Sequence, residues 1–422
     1  MRNSKIPCRG LDYRLCILAF AVCLVLIGTV SRLSFANVSY TTVTRLQHYH
    51  PKRDVSKGKG YPPVLAYWIF GMKGESNKML RLLKAVYHPR NQYLLQLDDG
   101  SSESERMDLA LSVKSHKLFE AFGNVNVIGK SYAINRMGSS ALSAPLHAAA
   151  LLLKVNSDWD WFITLTASDY PLMTQDDLLH AFTFLPKYLN FIHYTNKTVR
   201  NVQRNTDQIV VDQSLHYEKS SPLFFAVESR ETPEAFNMFH GSPWVILTRA
   251  FMEYCVKGWD NLPRKLLMFF SNVVYPLESY FHTVMCNSPE FQNTTVDNTL
   301  MYSLFDTDPS ESQLLDISHY DTMLERGAAF ARPFGEGDLV LEKIDDLILN
   351  RSSNGLVQGE WCSNTEINKT KKVSEDEGEF CSLSGNIDVV KPGMSGIKLG
   401  TLLDEIVNSG RSRTSQCQFY KG

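Results

Sequence analysis

Val64-Leu-Ala-Tyr-Trp-Ile-Phe-Gly71 carries no charge and ends in a glycine; Pro62-Pro63 precedes it. An apolar run this short, rich in aromatics and bounded by breakers, reads as a strand buried on both faces. Working outward, Ser76 to Val86 is amphipathic, with Met79, Leu80, Leu82, Leu83 and Val86 apolar and Ser76 able to cap it. Tyr93 to Leu97 is a second strand, ending in Asp98-Asp99-Gly100. Helical character runs from about Ser104 to Phe122, Asn124 to Ile128 alternates as a third strand, and Ser139 to Val155 is a helix rich in alanine and leucine. Trp161 to Leu165 is a fourth strand, ahead of Ser168-Asp169-Tyr-Pro171; Asp176 to Phe184 is helical and Asn190 to Tyr194 is another strand. Strands alternating with helices at this spacing predict an α/β domain with a largely parallel sheet, whose ligands bind outside the carboxyl ends of the strands. Asp98 and Asp169 stand at two such ends. Carboxylates there suit sugar and ribose hydroxyls, and they equally suit the capping of the following turn.

A second stretch bears on chemistry: Asn272-Val-Val-Tyr-Pro-Leu-Glu278-Ser-Tyr-Phe-His-Thr-Val-Met285. Pro276 precedes a short helical segment in which Leu277, Tyr280, Phe281 and Val284 recur at helical spacing. Glu278 is predicted in its first turn, a lone acid at the mouth of an apolar segment. A general base needs such a fixed, partly desolvated carboxylate, and a plain helix-end charge looks the same in sequence.

The 422 residues are 44% hydrophobic and 21% charged, with 43 Lys+Arg against 45 Asp+Glu. That balance offers no basic excess for nucleic acid, and no nucleic-acid motif is present. Arg2, Lys5, Arg9 and Arg14 precede an uncharged run from Leu15 to Val30, which extends to Ala36 if Arg32 snorkels. The run exceeds a usual signal-peptide core, which favours an uncleaved anchor over cleavage after Ser34-Phe35-Ala36. The expected organisation is a cytosolic tail (1–14), a transmembrane signal-anchor (15–36), a stem (37–60) and a lumenal body (61–422). Sequons at Asn37, Asn196, Asn293, Asn350 and Asn368 agree with a lumenal body. Of the lumenal cysteines, Cys255, Cys286, Cys362, Cys381 and Cys417, at least one stays free or pairs outside the chain. A Cys362–Cys381 bridge is expected to tie a polar C-terminal segment read as extended, stabilising it by about 3 kcal/mol.

Other chemistries lack their signatures. Gly71-Met-Lys-Gly74 has neither Rossmann nor P-loop spacing, no Gly-x-Ser-x-Gly elbow occurs, and no His/Cys spacing resembles a zinc site. Asp158-Trp-Asp160 has the form of a metal motif but precedes its strand; Asp306-Thr-Asp308 follows a possible strand at Met301 to Phe305 and stays open on position. Arg332, alone in the apolar Gly327-Ala-Ala-Phe-Ala-Arg-Pro-Phe334, is either a paired structural arginine or an anion ligand.

The sequence resembles the core-2/I-branching family of glycosyltransferases (family 14), and within it the plant-type β-glucuronosyltransferase branch. The likeness is carried by Ala66-Tyr-Trp-Ile, Leu80 to Pro89, Tyr93 to Asp98, Asn124 to Gly129, Asp158 to Leu172, Gly241-Ser with Leu247 to Phe251, Gly258 to Pro263, Glu278 to Val284 and Gly327 to Arg332, in the family's order. The resemblance implies a GT-A-like fold, a UDP-sugar donor, and inversion without a metal or other cofactor. It implies Glu278 as catalytic base and Asp98 on the uracil side. The family's basic residue against the diphosphate is replaced here by Pro333, so Arg332 stands in for it; no counterpart to a second diphosphate arginine is found. Related chains commonly read Gly-Ser-Ala-Trp where this one has Gly241-Ser-Pro-Trp244, and Trp244 and Asp169 are assigned to the acceptor or sugar. The implied activity is Golgi transfer of glucuronic acid to β-galactan side chains of arabinogalactan-type proteoglycans. Transfer of N-acetylglucosamine, or a non-catalytic carbohydrate-binding role, are the alternatives.

Overall fold

The computed structural model describes residues 55–156, 158–195, 206–215, 222–304, 314–352, 355–362, 385–408 and 417, all within the unit His48–Gly422. The anchor at 15–36 and most of the stem lie outside them. Among the described residues no helix is long and apolar enough to cross a membrane.

Strands β1 (Leu65–Gly71), β2 (Gln92–Leu97), β3 (Val125–Val127), β4 (Trp161–Thr166), β6 (Asn190–Phe191), β9 (Ile246–Thr248) and β10 (Thr295–Val296) form a seven-stranded sheet in the order β10-β6-β9-β4-β1-β2-β3. β1 pairs in parallel with β2 and β4, as do β2 with β3 and β6 with β10; β9 alone runs antiparallel, between β4 and β6. The expected largely parallel α/β sheet is therefore present.

Period-two alternation along β1 divides the core. Leu65, Tyr67 and Ile69 enter one buried cluster with Met79, Leu82 and Phe182, while Val64, Ala66 and Trp68 enter another with Leu142, Leu152 and Phe251. The first cluster is covered by helices α1 (Ser76–Ala85), α2 (Glu103–Ser115), α3 (Lys117–Phe122) and, later in the chain, α5 (Gln175–Thr183); the second by α4 (Ser139–Val155), α6 (Arg249–Lys257), α7 (Leu262–Phe270) and α8 (Tyr280–Asn287). The run predicted as one helix from Ser104 to Phe122 breaks at His116, whose backbone is extended. Ser76 begins α1 instead of capping it. The amides of Gly74 and Ser76 donate to the Glu105 carboxylate from α2, so no local cap is needed.

A smaller sheet positions one arm of the site. β12 (Phe330–Arg332) lies between β11 (Met301–Ser303) and β5 (Tyr170–Pro171), antiparallel to the latter. Ala331 opposes Tyr170, so the next residues outward, Arg332 and Asp169, meet. β7 (Gln208–Val211) and β8 (Phe224–Ser229) make a separate ribbon, and α9 (Tyr320–Glu325) and α10 (Leu339–Leu347) follow in the C-terminal third.

The C-terminal segment departs from its extended reading: Met394–Asn408 is an α-helix, α11, with Leu399 and Leu403 buried against the first cluster. Burying each leucine contributes about 1.5–3 kcal/mol. Gly396 and Gly400 weaken the helical signal in sequence, because glycine disfavours a helix by up to about 1 kcal/mol. Packing explains Gly396, since a Cβ there would lie 2.7 Å from the Asp177 Cα. Asp177 Oδ1 accepts from the amides of Gly393 (2.6 Å) and Gly396 (3.0 Å), fastening α11 to α5. Cys286 is joined to Cys417, a pairing the sequence left open, and Cys255 is a buried free thiol. Cys362 is disulfide-bonded, while Cys381 lies outside the described residues. Asn293 and Asn350 are exposed; Asn37, Asn196 and Asn368 are not described.

Candidate active site

A cleft of about 280 Å³ opens beside the carboxyl ends of β1 and β4, walled by Trp68, Thr166, Trp244, Glu278 and Arg332 among others. Its volume is near the lower end of the range for small-molecule sites, about 300–1,000 Å³. Sheet topology puts it there: in an open α/β sheet the strand ends leave backbone and loops free to line a crevice.

Glu278 reaches the cleft from a 3-10 turn, Pro276–Glu278, that precedes α8, with Ser279 at the α-helix N-cap. The acid thus sits just ahead of the α-helix and not in its first turn. The difference follows from Tyr275, whose left-handed backbone (φ 53°) turns the chain sharply into Pro276. Tyr280, Phe281 and Val284 are buried, as their spacing predicts, and anchor the turn. The Glu278 side chain is 22% exposed, and its Oε2 lies 3.1 Å from Nε2 of the buried His240.

Arg332 forms a different part of the wall. Its Nε donates to Asp169 Oδ1 at 2.9 Å, and its guanidinium stacks over the Trp244 ring at 3.8 Å from the centroid. Among the described residues its two terminal nitrogens make no hydrogen bond, so they are available to an anion in the cleft. Asp169 is 1% exposed, and the Thr166 amide (2.7 Å) and hydroxyl (2.9 Å) take the rest of its carboxylate. Burial pushes the Asp169 carboxyl above its usual range, against the opposing pull of the Arg332 guanidinium. Asp169, assigned to sugar or acceptor from sequence, is not on the cleft wall; it holds Arg332 instead.

Trp244 does line the cleft, stacked on Arg332. Asp98, at the end of β2, accepts from the Ser101 hydroxyl at 3.0 Å and closes the local turn with its carbonyl; it does not line this cleft. Asp160 is committed elsewhere, to the Val64 amide (2.8 Å) and Lys187 (2.9 Å), and Asp158 pairs with Lys57. Asp306 and Asp308 lie outside the described residues. Two wall or near-wall residues escaped the sequence reading. Arg136 precedes α4 and lines the cleft, and His240 directly precedes the Gly241-Ser-Pro-Trp244 motif, an adjacency that could have singled it out.

The geometry combines a carboxylate, an arginine with open donors and an aromatic face, a set suited to deprotonating a hydroxyl beside a departing anion. Comparisons with known proteins bear on the same region. A family model described as core-2/I-branching enzyme matches residues 65–323. The chain is 40% identical to beta-glucuronosyltransferase GlcAT14A of Arabidopsis thaliana over 85% of this chain and 78% of that protein. It is 41% identical to beta-glucuronosyltransferase GlcAT14C of the same plant over 87% and 88% respectively. With human xylosyltransferase 1 the identity is 32%, over 56% of this chain and 24% of that protein. Among solved structures, mouse xyloside xylosyltransferase 1 in its apo form aligns with a TM-score of 0.32 and 11% identity, over 65% of this chain and 98% of that one, a likeness too slight to argue from.

Proposed function

The chain belongs to the core-2/I-branching enzyme family, and from that premise we propose that it is an inverting glycosyltransferase that moves glucuronic acid from a UDP donor to a β-galactan acceptor. The observation that carries the reading is the shared cleft, with the partly exposed Glu278 carboxylate and the anchored Arg332 in its wall. Glu278 takes the proton from the acceptor hydroxyl as that oxygen bonds to the anomeric carbon. The bond from that carbon to the diphosphate breaks on the opposite face, and its electron pair leaves with UDP. The terminal nitrogens of Arg332 meet the developing charge, a fixed cation doing what a metal does in other sugar transferases. Asp98 is proposed on the uracil side, and Trp244 beside the sugar. The anchor at 15–36 would place the body in the Golgi lumen as a single-pass type II protein, acting on arabinogalactan-type proteoglycans.

The test is UDP release by the purified full chain with a β-galactan acceptor and a panel of UDP-sugars. Release with UDP-glucuronic acid that persists in EDTA supports the reading. Preference for UDP-N-acetylglucosamine or UDP-xylose would change the donor, and no acceptor-dependent release with any donor would overturn it.

A further inference from the structure

Glu278 does not stand alone. Its Oε2 meets Nε2 of His240 at 3.1 Å, and the other ring nitrogen, Nδ1, lies 3.0 Å from the Ser279 hydroxyl. If Nε2 carried a lone pair it would face an ionised carboxylate oxygen, which is repulsive. The neutral ring therefore keeps its proton on Nε2 and donates it to Glu278, while the Ser279 hydroxyl donates to Nδ1.

The backbone around this histidine is held on both sides. The Phe239 amide donates to Thr283 Oγ1 at 3.1 Å and the Thr283 hydroxyl returns to the Phe239 carbonyl at 3.2 Å. The His240 carbonyl accepts from Thr195 at 3.1 Å, and the Gly241 amide donates to the Glu278 carbonyl at 2.8 Å. Gly241 makes this approach possible: a Cβ there would sit 1.9 Å from the His193 carbonyl oxygen and 2.5 Å from His282 Nε2. The imidazole is 4% exposed. Ionisable groups around it include Glu278 and, from α8, His282, with Tyr194 edge-on to the His282 ring and the exposed His193–Asp297 pair beyond. His282 donates from Nε2 to the His193 carbonyl at 3.1 Å and stays neutral, because burial and then the nearby His240 push its pKa down to about 3. Glu278 is thus the nearest anion in this set, and His240 its direct partner.

We infer that His240 is a positioning residue for the transfer: as a neutral N–H donor it holds one oxygen of Glu278 and leaves the other for the acceptor hydroxyl. This rests on Glu278 being the base. No bond to substrate is made or broken at His240. Its protonation would turn the contact into an ion pair, stabilise the Glu278 carboxylate and weaken it as a base.

The experiment compares full-length wild type, His240→Ala, His240→Gln and Glu278→Gln in steady-state UDP release, each checked for folding by UDP binding and a thermal melt. His240→Ala should lose about 10–10²-fold in kcat, the scale of a base misplaced by about an ångström, with the KM for the UDP-sugar unchanged. His240→Gln keeps an amide donor toward Glu278, so it should recover most of the turnover. If His240→Ala fails to fold, His240→Leu, which fills the same space without a donor, takes its place and should show the same loss of kcat. A histidine that only supports the fold would lower the melt and leave kcat per folded molecule intact, and that result overturns the inference. An inactive Glu278→Gln beside a fully active His240→Ala removes the role of His240 alone. An active Glu278→Gln removes the base itself, and the role of His240 with it.

Discussion

Asp345 and Glu278 are both acids among apolar neighbours, and the fold treats them in opposite ways. Asp345, on α10, is 2% exposed. Its Oδ2 accepts from Arg81 at 2.6 Å, and its Oδ1 from Arg351 at 2.8 Å and from the Tyr170 hydroxyl at 2.6 Å; Arg351 also reaches that hydroxyl. Burial pushes the Tyr170 phenol up to about 12, so it remains a donor at any pH the protein meets. This carboxylate ties α1, β5 and α10 together and has little capacity left for anything else. Glu278 has a single side-chain partner among the described residues and a face on the cleft. A buried acid whose lone pairs are spent is architecture; an acid with one oxygen held and the other open can exchange a proton.

The sharpest way to break this contrast is to remove the charge from each acid in turn. Glu278→Gln should lower turnover by roughly 10²–10⁴-fold while the denaturation midpoint stays near wild type. Near-normal turnover in the folded variant would put Glu278 on the architectural side. Asp345→Asn should do the reverse, costing about 3–5 kcal/mol of stability because two arginines are left without their buried partner. Equilibrium unfolding in urea reads this, and a D345N protein of normal stability would mean that the network is dispensable.

Arg332 lies between the two extremes, since its Nε is spent on buried Asp169 while the residue lines the cleft and its terminal nitrogens make no hydrogen bond among the described residues. Arg332→Ala should weaken UDP binding by about 1.5–3 kcal/mol, a charged hydrogen bond lost, as measured by titration calorimetry. Some stability should go too, because Asp169 then lacks its cation; unchanged UDP affinity would assign Arg332 to structure alone. A last test concerns His282, whose folded-state pKa of about 3 lies below the ordinary value of 6.5. The unfolded chain binds that proton first, so the histidine's contribution is complete above about pH 6.5 and is lost as pH falls toward 3. Each proton taken up only on unfolding costs about 1.4 kcal/mol per pH unit. A His282→Asn variant should lose stability less steeply over that window, and an unaltered slope would show that His282 is already charged in the fold.

The acids also show what a sequence can display. Glu278 was legible because proline, acid and an apolar helical stripe lie within a few residues of each other. Asp345 was not, because the groups that define it come from Arg81, Tyr170 and Arg351, and nothing around Lys343-Ile-Asp-Asp-Leu347 announces them. Asp169 was legible as a strand-end acid, yet its carboxylate is held by Thr166 beside it and by Arg332, which is 163 residues away. The helix Met394–Asn408 was obscured by its own glycines, of which Gly396 is explained by its close approach to Asp177.

The sequence by itself determined the alternation of strand and helix, the double-sided burial of β1 and the ends of the sheet where chemistry can occur. These follow from side-chain periods of two and 3.6 along the chain, which are local properties. The tertiary structure decided which acid would be free. That choice depends on the register of β5 against β12, which brings Arg332 to Asp169, and on a glycine that lets His240 approach Glu278. Desolvation and hydrogen-bond saturation are set by neighbours in space, and in this fold those neighbours come from segments whose distance in sequence carries no signal of their meeting.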